Sequence, residues 1–88
     1  MKEIWKFELE FYSTFQLPKG AEILTVQLQK EIPCLWVLVD TERELEERHF
    51  ETFGTGHEIS YKKGNSKIYL GTYQIANGSL VFHVFERV

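Results

Sequence analysis

The segment from Arg48 to His57 has the residue types and spacing that most suggest chemistry. Gly54-Thr55-Gly56-His57 sets two glycines around a threonine, and such residues allow successive backbone N–H groups to converge on an anion. Arg48 and His57 would add positive charge to that site. The spacing and the following helix of a phosphate-binding loop are absent, so the motif is also typical of a glycine bulge or a corner between strands. We favour the corner and keep the anion-binding site as a hypothesis.

Histidine and cysteine, the usual zinc ligands and partners in nucleophilic catalysis, are few and scattered. The histidines are His49, His57 and His83, and the one cysteine is Cys34. No CxxC or HExxH spacing is present, and the apolar neighbours of Cys34 predict an inert core thiol. His83 also lies in an apolar stretch, where we expect it to be half-buried and hydrogen-bonded. The sequence predicts no metal site, no cofactor and no catalytic residue, and therefore a protein that is not an enzyme.

A charged stretch, TERELEER at 41–48, is the most acidic part of the chain. Its carboxylates repel one another, and nothing in the stretch would desolvate one and prepare it for acid–base catalysis. Leu45 is its one aliphatic residue, so we expect a solvated connection with at most one helical turn. This acidic edge is a candidate protein-binding surface. The candidate residues are Glu42, Glu44, Glu46 and Glu47.

The chain has 88 residues, a mass of 10.4 kDa and a formal charge of −3. This length fits one domain over residues 1–88. The acidic balance disfavours long nucleic acids, whose phosphates attract basic surfaces. No apolar stretch is long enough to span a membrane, and the charged and aromatic N-terminal segment is unlike a signal peptide. A lone cysteine fits a reducing compartment, so we expect a cytoplasmic protein.

Alternation of apolar and polar residues predicts β-strands along most of the chain. Ile4–Phe11 has apolar residues at its odd positions, and Glu22–Gln29 alternates in the same way with Leu24 facing inward. The apolar run Cys34–Val39 predicts a central strand that is covered on both faces. Shorter extended pieces are expected at Thr14–Leu17 and His49–Gly54.

The clearest hairpin lies in the last quarter of the sequence. Lys67–Ile75 and Ser79–Arg87 flank Asn77-Gly78, a pair that tolerates the positive φ of a type I′ turn. A polar loop, KKGNSK at 62–67, precedes the hairpin. Six to seven strands joined by short turns predict an all-β fold, either a small antiparallel sandwich or a partly open barrel.

Aromatic residues are more numerous than a core of this size readily holds, with two Trp, four Tyr and seven Phe. Strand parity sends Phe82 and Phe85 to opposite faces and turns Trp36 away from Leu35. The aromatics expected to pack inward from the first strand are Trp5, Phe7 and Phe11. Strands that are apolar on both faces in so small a domain predict a second subunit, so we expect a homo-oligomer.

Several short motifs occur in an order that resembles a family of small uncharacterised phage and prophage proteins. The motifs are LPKGAEILTVQLQ, PCLWVLVD, FGTGHEI, YLGTYQ and GSLVFHVFE. The resemblance runs from Leu17 to Glu86 and departs mainly in TERELEER and KKGNSK. It implies a setting, a bacterial cell that contains a phage or prophage genome, and it implies no catalytic residue or ligand.

That setting favours a small non-enzymatic accessory protein that acts by stoichiometric binding, for example in counter-defence. Its target is either a host defence protein, held by the acidic edge, or a small anionic nucleotide signal. The nucleotide would lie between subunits near Gly54–His57, Arg48 and Trp36. The alternative is a structural or assembly protein that acts only by self-association. A small hydrolase or nuclease is the least favoured, because its motifs are missing.

Overall fold

Seven β-strands make up most of the computed structural model, which describes residues 1–59 and 66–88. The strands are β1 (Lys2–Glu8), β2 (Tyr12–Pro18), β3 (Glu22–Gln29), β4 (Ile32–Asp40), β5 (Leu45–Gly54), β6 (Lys67–Ile75) and β7 (Leu80–Arg87). The predicted all-β class is confirmed, and β2 is longer than the piece expected at Thr14–Leu17. Within the described ranges, no helix has the length and apolar character needed to cross a membrane.

The strands form two antiparallel sheets, arranged as a sandwich that does not close into a barrel. The first sheet has three strands in the order β1-β4-β3, and the second has four in the order β2-β5-β7-β6. The apolar run therefore does form a central strand, β4. Between β1 and β2 the chain crosses from the first sheet to the second. The Leu9 N–H donates to the Pro33 carbonyl at 2.8 Å, and the Phe11 carbonyl accepts from the Thr52 N–H at 2.8 Å.

The core lies between the sheets and is filled by alternate residues of each strand. In β4, Leu35, Val37 and Val39 are at most 1% exposed because they face the second sheet. Trp36 and Leu38 point to the outer face and are half-buried, so the predicted opposition of Trp36 and Leu35 is confirmed. Buried core residues from the second sheet are Leu17, Phe50, Tyr73 and Val84.

The acidic stretch is the main correction to the sequence prediction. β5 begins at Leu45, so residues 45–48 are strand and only 41–44 form a connection. Residues in β5 do alternate, with Phe50 buried and Glu47 on the exposed outer face. Arg48 occupies an inward position of this strand, where an apolar residue is expected, and its charge conceals the pattern.

Two apolar residues depart from the positions predicted by strand parity. Leu24 is 42% exposed, because a β-bulge after Ile23 shifts the register of β3 against β4. Ile23 packs on the core in its place. Phe11 is 55% exposed, because β1 ends three residues before it. Trp5 and Phe7, which lie within β1, pack against the core as expected.

The C-terminal hairpin has the predicted turn and first strand, and its second strand begins at Leu80, one residue later than predicted. β6 and β7 pair antiparallel, and Asn77 and Gly78 have φ values of 55° and 84°. The Ser79 N–H donates to the Ala76 carbonyl at 3.1 Å, the hydrogen bond that often closes a β-turn of this type. The predicted KKGNSK loop lies largely outside the described residues.

Candidate functional site

The GTG corner, residues 54–57, lies where β5 ends beside β7. Gly56 has a φ of +86°, in the left-handed region that favours glycine. The Thr55 N–H donates to the Val81 carbonyl and the His57 N–H to the Gly54 carbonyl, each at 3.1 Å. An anion nest needs successive N–H groups aimed at one ligand, and these two are already donated within the chain. The geometry is that of a tight corner at a strand end.

A hydrogen-bonded network of four side chains ties this corner to the outer face of the second sheet. Nε2 of His83 lies 2.7 Å from Oγ1 of Thr55, and Nδ1 of His83 lies 2.9 Å from Oγ1 of Thr72. The Tyr69 hydroxyl extends the network at 2.5 Å from Oγ1 of Thr72. His83 is thus half-buried and hydrogen-bonded, as the sequence predicts.

The contact between Thr55 and His83 joins a hydroxyl to an imidazole, as nucleophile–base pairs do. In the hydrolytic triads the second ring nitrogen meets a carboxylate, which orients the base and stabilises its charged form. Here that nitrogen meets the neutral hydroxyl of Thr72. We therefore interpret the network as a positioning device that holds the corner, β6 and β7 in one arrangement.

His57 turns back over the corner and forms one side of a cleft of about 260 Å³, the polar cleft. A Cβ atom at Gly54 would lie 2.7 Å from Nδ1 of His57, so a glycine there allows the imidazole to lie on the backbone. Phe11, Phe82 and Glu58 line its other sides. The polar cleft thus combines aromatic rings with the titratable side chains of His57 and Glu58.

A second cleft of about 450 Å³, the apolar cleft, adjoins the first. Phe11 and Phe82 line both clefts, and their ring centroids are 5.4 Å apart. The other apolar lining residues are Leu9, Pro33, Tyr73, Ile75 and Leu80. Phe11 is 55% exposed and Leu80 is 48% exposed, so an apolar surface is open to solvent here.

Two acidic residues line these clefts. Glu10 lines the apolar cleft and Glu58 lines the polar cleft. Both residues are exposed, and neither carboxylate has a hydrogen-bond or ion-pair partner within residues 1–59 and 66–88. The pair of clefts therefore combines apolar surface with two carboxylates that the described residues leave unpaired.

Arg48, which the sequence suggested as a source of charge for the corner, lies at the opposite end of β5 from Gly54. The two are about 20 Å apart, at ~3.3 Å per residue. The Arg48 guanidinium forms a bidentate pair with Glu86 at 2.6 and 2.8 Å, and donates to the Ala21 carbonyl at 2.6 Å. The hydrogen bonds to Glu86 raise the pKa of Arg48 above its usual value. The structure does not bring this charge to the corner.

Trp36 also lies away from the corner. It pairs with Lys6 of β1 and Thr25 of β3 in the first sheet, whereas the corner belongs to the second sheet. Its side chain is on the outer face, opposite the core. A site that joins Trp36 to the GTG corner would therefore need a second copy of the chain.

A protein family described as a domain of unknown function, DUF7352, matches residues 1–88. The chain belongs to the DUF7352 family. This membership is consistent with the uncharacterised family that its motifs resemble. No curated protein and no solved structure matches the DUF7352 chain.

The four acidic candidates of the DUF7352 chain lie at or before the first residues of β5, far from the clefts. Each has a contact within the chain, at 3.0 to 3.3 Å. The contacts are the N-terminal amino group for Glu42, Lys19 for Glu44, the Gly20 N–H for Glu46 and His49 for Glu47. Exposed pairs of this kind contribute about 0–1 kcal/mol each.

Thiol and metal chemistry find little support in this DUF7352 structure. Cys34 is 1% exposed, and burial raises the pKa of its thiol, which disfavours the reactive thiolate. Across the described ranges, no group of three or more His, Cys, Asp or Glu side chains is placed to hold a metal ion.

Sequence reasoning singled out Gly54 and His57 of the polar cleft and missed the other residues of the two clefts. Parity alone predicts that Phe11 faces inward, and it assigns nothing to Glu10 or Glu58. One signal was available, because Tyr12 follows Phe11 directly and breaks the alternation of the first strand. Two adjacent aromatic residues at such a break indicate that one of them faces solvent.

Proposed function

We propose that this DUF7352 protein is a small non-enzymatic accessory protein of a phage or prophage. It acts in the cytoplasm of the bacterial host by stoichiometric binding of a host protein, in counter-defence. The observation that carries the proposal is the apolar cleft, where Phe11 and Leu80 are open to solvent. Contiguous exposed apolar surface in a concave site is typical of binding. The order of its motifs supports the phage setting.

The surroundings of the clefts favour a protein partner over a nucleotide. A phosphate needs converging N–H donors or cations, whereas the Thr55 and His57 N–H groups and the Arg48 guanidinium are engaged within the chain. Glu10 and Glu58 add negative charge beside the site, which repels a phosphate. Nucleotide binding is therefore an outcome of the test below and not the proposal.

A second copy of the chain is the other partner that we propose. The outer face of the first sheet carries Trp36, Leu38 and Ile4, and Ile4 is 60% exposed. Exposed apolar patches mark interaction sites, and most soluble oligomers are symmetric assemblies of one chain. Light scattering at micromolar concentration should give a dimer or larger species, and Ile4→Lys should shift it towards the monomer. A monomeric wild-type protein would contradict this part of the proposal.

Affinity purification of tagged protein from bacterial cells tests the binding function. We expect the wild type to retain a host protein, Leu80→Glu to lose it, and Leu45→Glu to keep it. Leu45 is the matched control, because it is a 57% exposed leucine at the other end of β5. Reconstitution with the purified partner should then give a one-to-one complex.

Three results would contradict the proposal, each in favour of a different function. A nucleotide that mass spectrometry finds with the wild type and not with Gly56→Val would indicate a nucleotide-binding protein. Turnover of an ester or phosphodiester substrate would indicate a hydrolase. A stable oligomer of this chain, with no host protein whose binding requires Leu80, would indicate a structural accessory protein.

A further inference from the structure

We infer that the partner segment bound at the apolar cleft carries a large apolar side chain with a lysine or arginine beside it. This inference rests on the proposed function and adds the chemistry of the bound segment. Its basis is the position of Glu10 and Glu58, which line the two adjoining clefts and whose carboxylates have no partner among the described residues.

The apolar cleft suits a large side chain because both sheets contribute to its walls. Leu9 and Pro33 lie at the end of the first sheet, and Ile75 and Leu80 belong to the hairpin of the second. Its volume of about 450 Å³ is within the range of small-ligand sites, roughly 300–1,000 Å³. An aliphatic or aromatic side chain placed there leaves water and packs against the exposed ring of Phe11.

The charge beside this cleft is negative on both sides of the shared rings. Glu10 directly precedes Phe11 and lines the apolar cleft, and Glu58 lines the polar cleft. In the part of the chain that the structure describes, neither carboxylate is paired. A cation on the partner therefore gains a carboxylate without breaking an ion pair between residues in the described ranges. The 55% exposed Phe11 ring also offers its face to a cation.

The acidic edge before and at the start of β5 lacks this combination. Glu44 already pairs with Lys19, and Glu46 accepts from the Gly20 N–H. An incoming cation would have to displace or share these contacts. For this reason we place the basic partner segment at the clefts and not at the edge that the sequence suggested.

Peptide binding to the full chain tests the inference by fluorescence anisotropy. The probes are three fluorescein-labelled peptides of equal length, with a central Phe between two Lys, a central Phe between two Glu, or a central Ser between two Lys. We expect the Lys–Phe–Lys probe to bind about tenfold more tightly than either of the others. Raising the salt concentration should weaken its binding, because exposed charge pairs are screened.

Charge reversal of the two carboxylates provides the decisive comparison. In the Glu10→Lys, Glu58→Lys double variant, we expect the Glu–Phe–Glu probe to bind about tenfold more tightly than Lys–Phe–Lys. Glu22→Lys is the matched control, because Glu22 is exposed at the start of β3 and lines neither cleft. The control should keep the wild-type preference. Thermal unfolding checks that all variants are folded.

The inference is overturned if the wild type binds the three probes alike, or if Glu22→Lys changes the preference as much as the double variant does. Failure of the inference and of the proposed function are distinguishable. If a host protein binds in a Leu80-dependent way but its binding is unchanged by the charge reversal, the proposed function is supported and the basic segment is contradicted. If the wild type prefers the Lys–Phe–Lys probe but retains no host protein in a Leu80-dependent way, the inference is supported and the host-protein function is contradicted.

Discussion

The surroundings of the two ends of β5 differ in whether charged side chains are paired and apolar side chains are buried. At its start, the side chain of Arg48 is 17% exposed and is matched by Glu86 and a backbone carbonyl. Beyond its end, Phe11 is 55% exposed, and Glu10 and Glu58 face solvent with no partner among the described residues. The first end buries charge and satisfies it, whereas the second leaves apolar rings and carboxylates uncovered.

This difference separates residues that maintain the fold from residues that remain available for binding. A bidentate buried pair is a fixed part of the interior, and a ligand would have to break it. Exposed rings and unpaired carboxylates contribute little to folding, and they gain interactions when a partner arrives. The charge of Arg48, which lies in the interior, is therefore structural. The proposed function belongs to the clefts beyond the other end of β5.

Removing Glu86 should have the largest effect on stability. Glu86→Ala leaves Arg48 buried and unpaired, and we expect the free energy of unfolding to fall by about 3–5 kcal/mol in urea denaturation. Glu47→Ala, an exposed change on the outer face of β5, should stay within about 0.5 kcal/mol. Replacing both partners, Arg48→Met with Glu86→Leu, should restore most of the loss. Equal losses in Glu86→Ala and Glu47→Ala would erase the contrast between buried and exposed charge.

Breaking the network at the GTG corner should have an intermediate effect. His83→Ala removes the hydrogen bonds to Thr55 and Thr72, at about 0.5–1.5 kcal/mol each. Urea denaturation should show a total loss of about 1–2 kcal/mol, because the freed hydroxyls are exposed and bind water. His57→Ala, on the exposed side of the same corner, is the control and should cost less than about 0.5 kcal/mol. A greater loss for His57→Ala would mean that the network does not hold the corner.

Lowering the pH should lower the free energy of unfolding, because Asp40, which precedes β5, loses its charge. The loss should be smaller than the losses in Glu86→Ala and His83→Ala. The hydrogen bond from the Glu42 N–H, and then the N-terminal amino group, hold the pKa of Asp40 below its ordinary value of 3.8. A carboxyl with a lowered folded pKa adds stability above its unfolded pKa and loses it as pH falls through the folded pKa. Asp40→Asn should lower stability at neutral pH and flatten its decline below about pH 4. Parallel pH profiles for wild type and variant would contradict this.

Substitution at the cleft should have the smallest effect on stability. Leu80→Ser changes a 48% exposed side chain, so we expect the free energy of unfolding to change by less than about 0.5 kcal/mol. Leu45→Ser is the matched change at the other end of β5. A loss above about 1.5 kcal/mol for Leu80→Ser alone would show that Leu80 belongs to the core, and the contrast between the two ends would fail.

Local patterns predicted much of the fold. The apolar run at 34–39 predicted the central strand β4, and Asn77-Gly78 predicted the turn between β6 and β7. The start of β5 was missed, because Arg48 faces inward. The inward position of Arg48 is stable only because Glu86, 38 residues later in the chain, forms an ion pair with its guanidinium. No local pattern contains such a partner.

The candidate site was predicted in part, for the same physical reason. The GTG motif correctly indicated a corner, since a positive φ is a local requirement of the backbone. The apolar cleft was invisible, because Leu9, Pro33 and Leu80 come from three separate parts of the chain.

The sequence by itself determined most of the strands and the C-terminal turn, because alternation and turn preferences act between near neighbours. Only the tertiary structure decided which polar groups are satisfied and which apolar ones stay uncovered. Sheet pairing placed Arg48 in the interior, and the end of β1 left Phe11 on an exposed apolar surface. These depend on contacts between residues that are distant in the chain, so charge and hydrophobicity alone did not assign their roles.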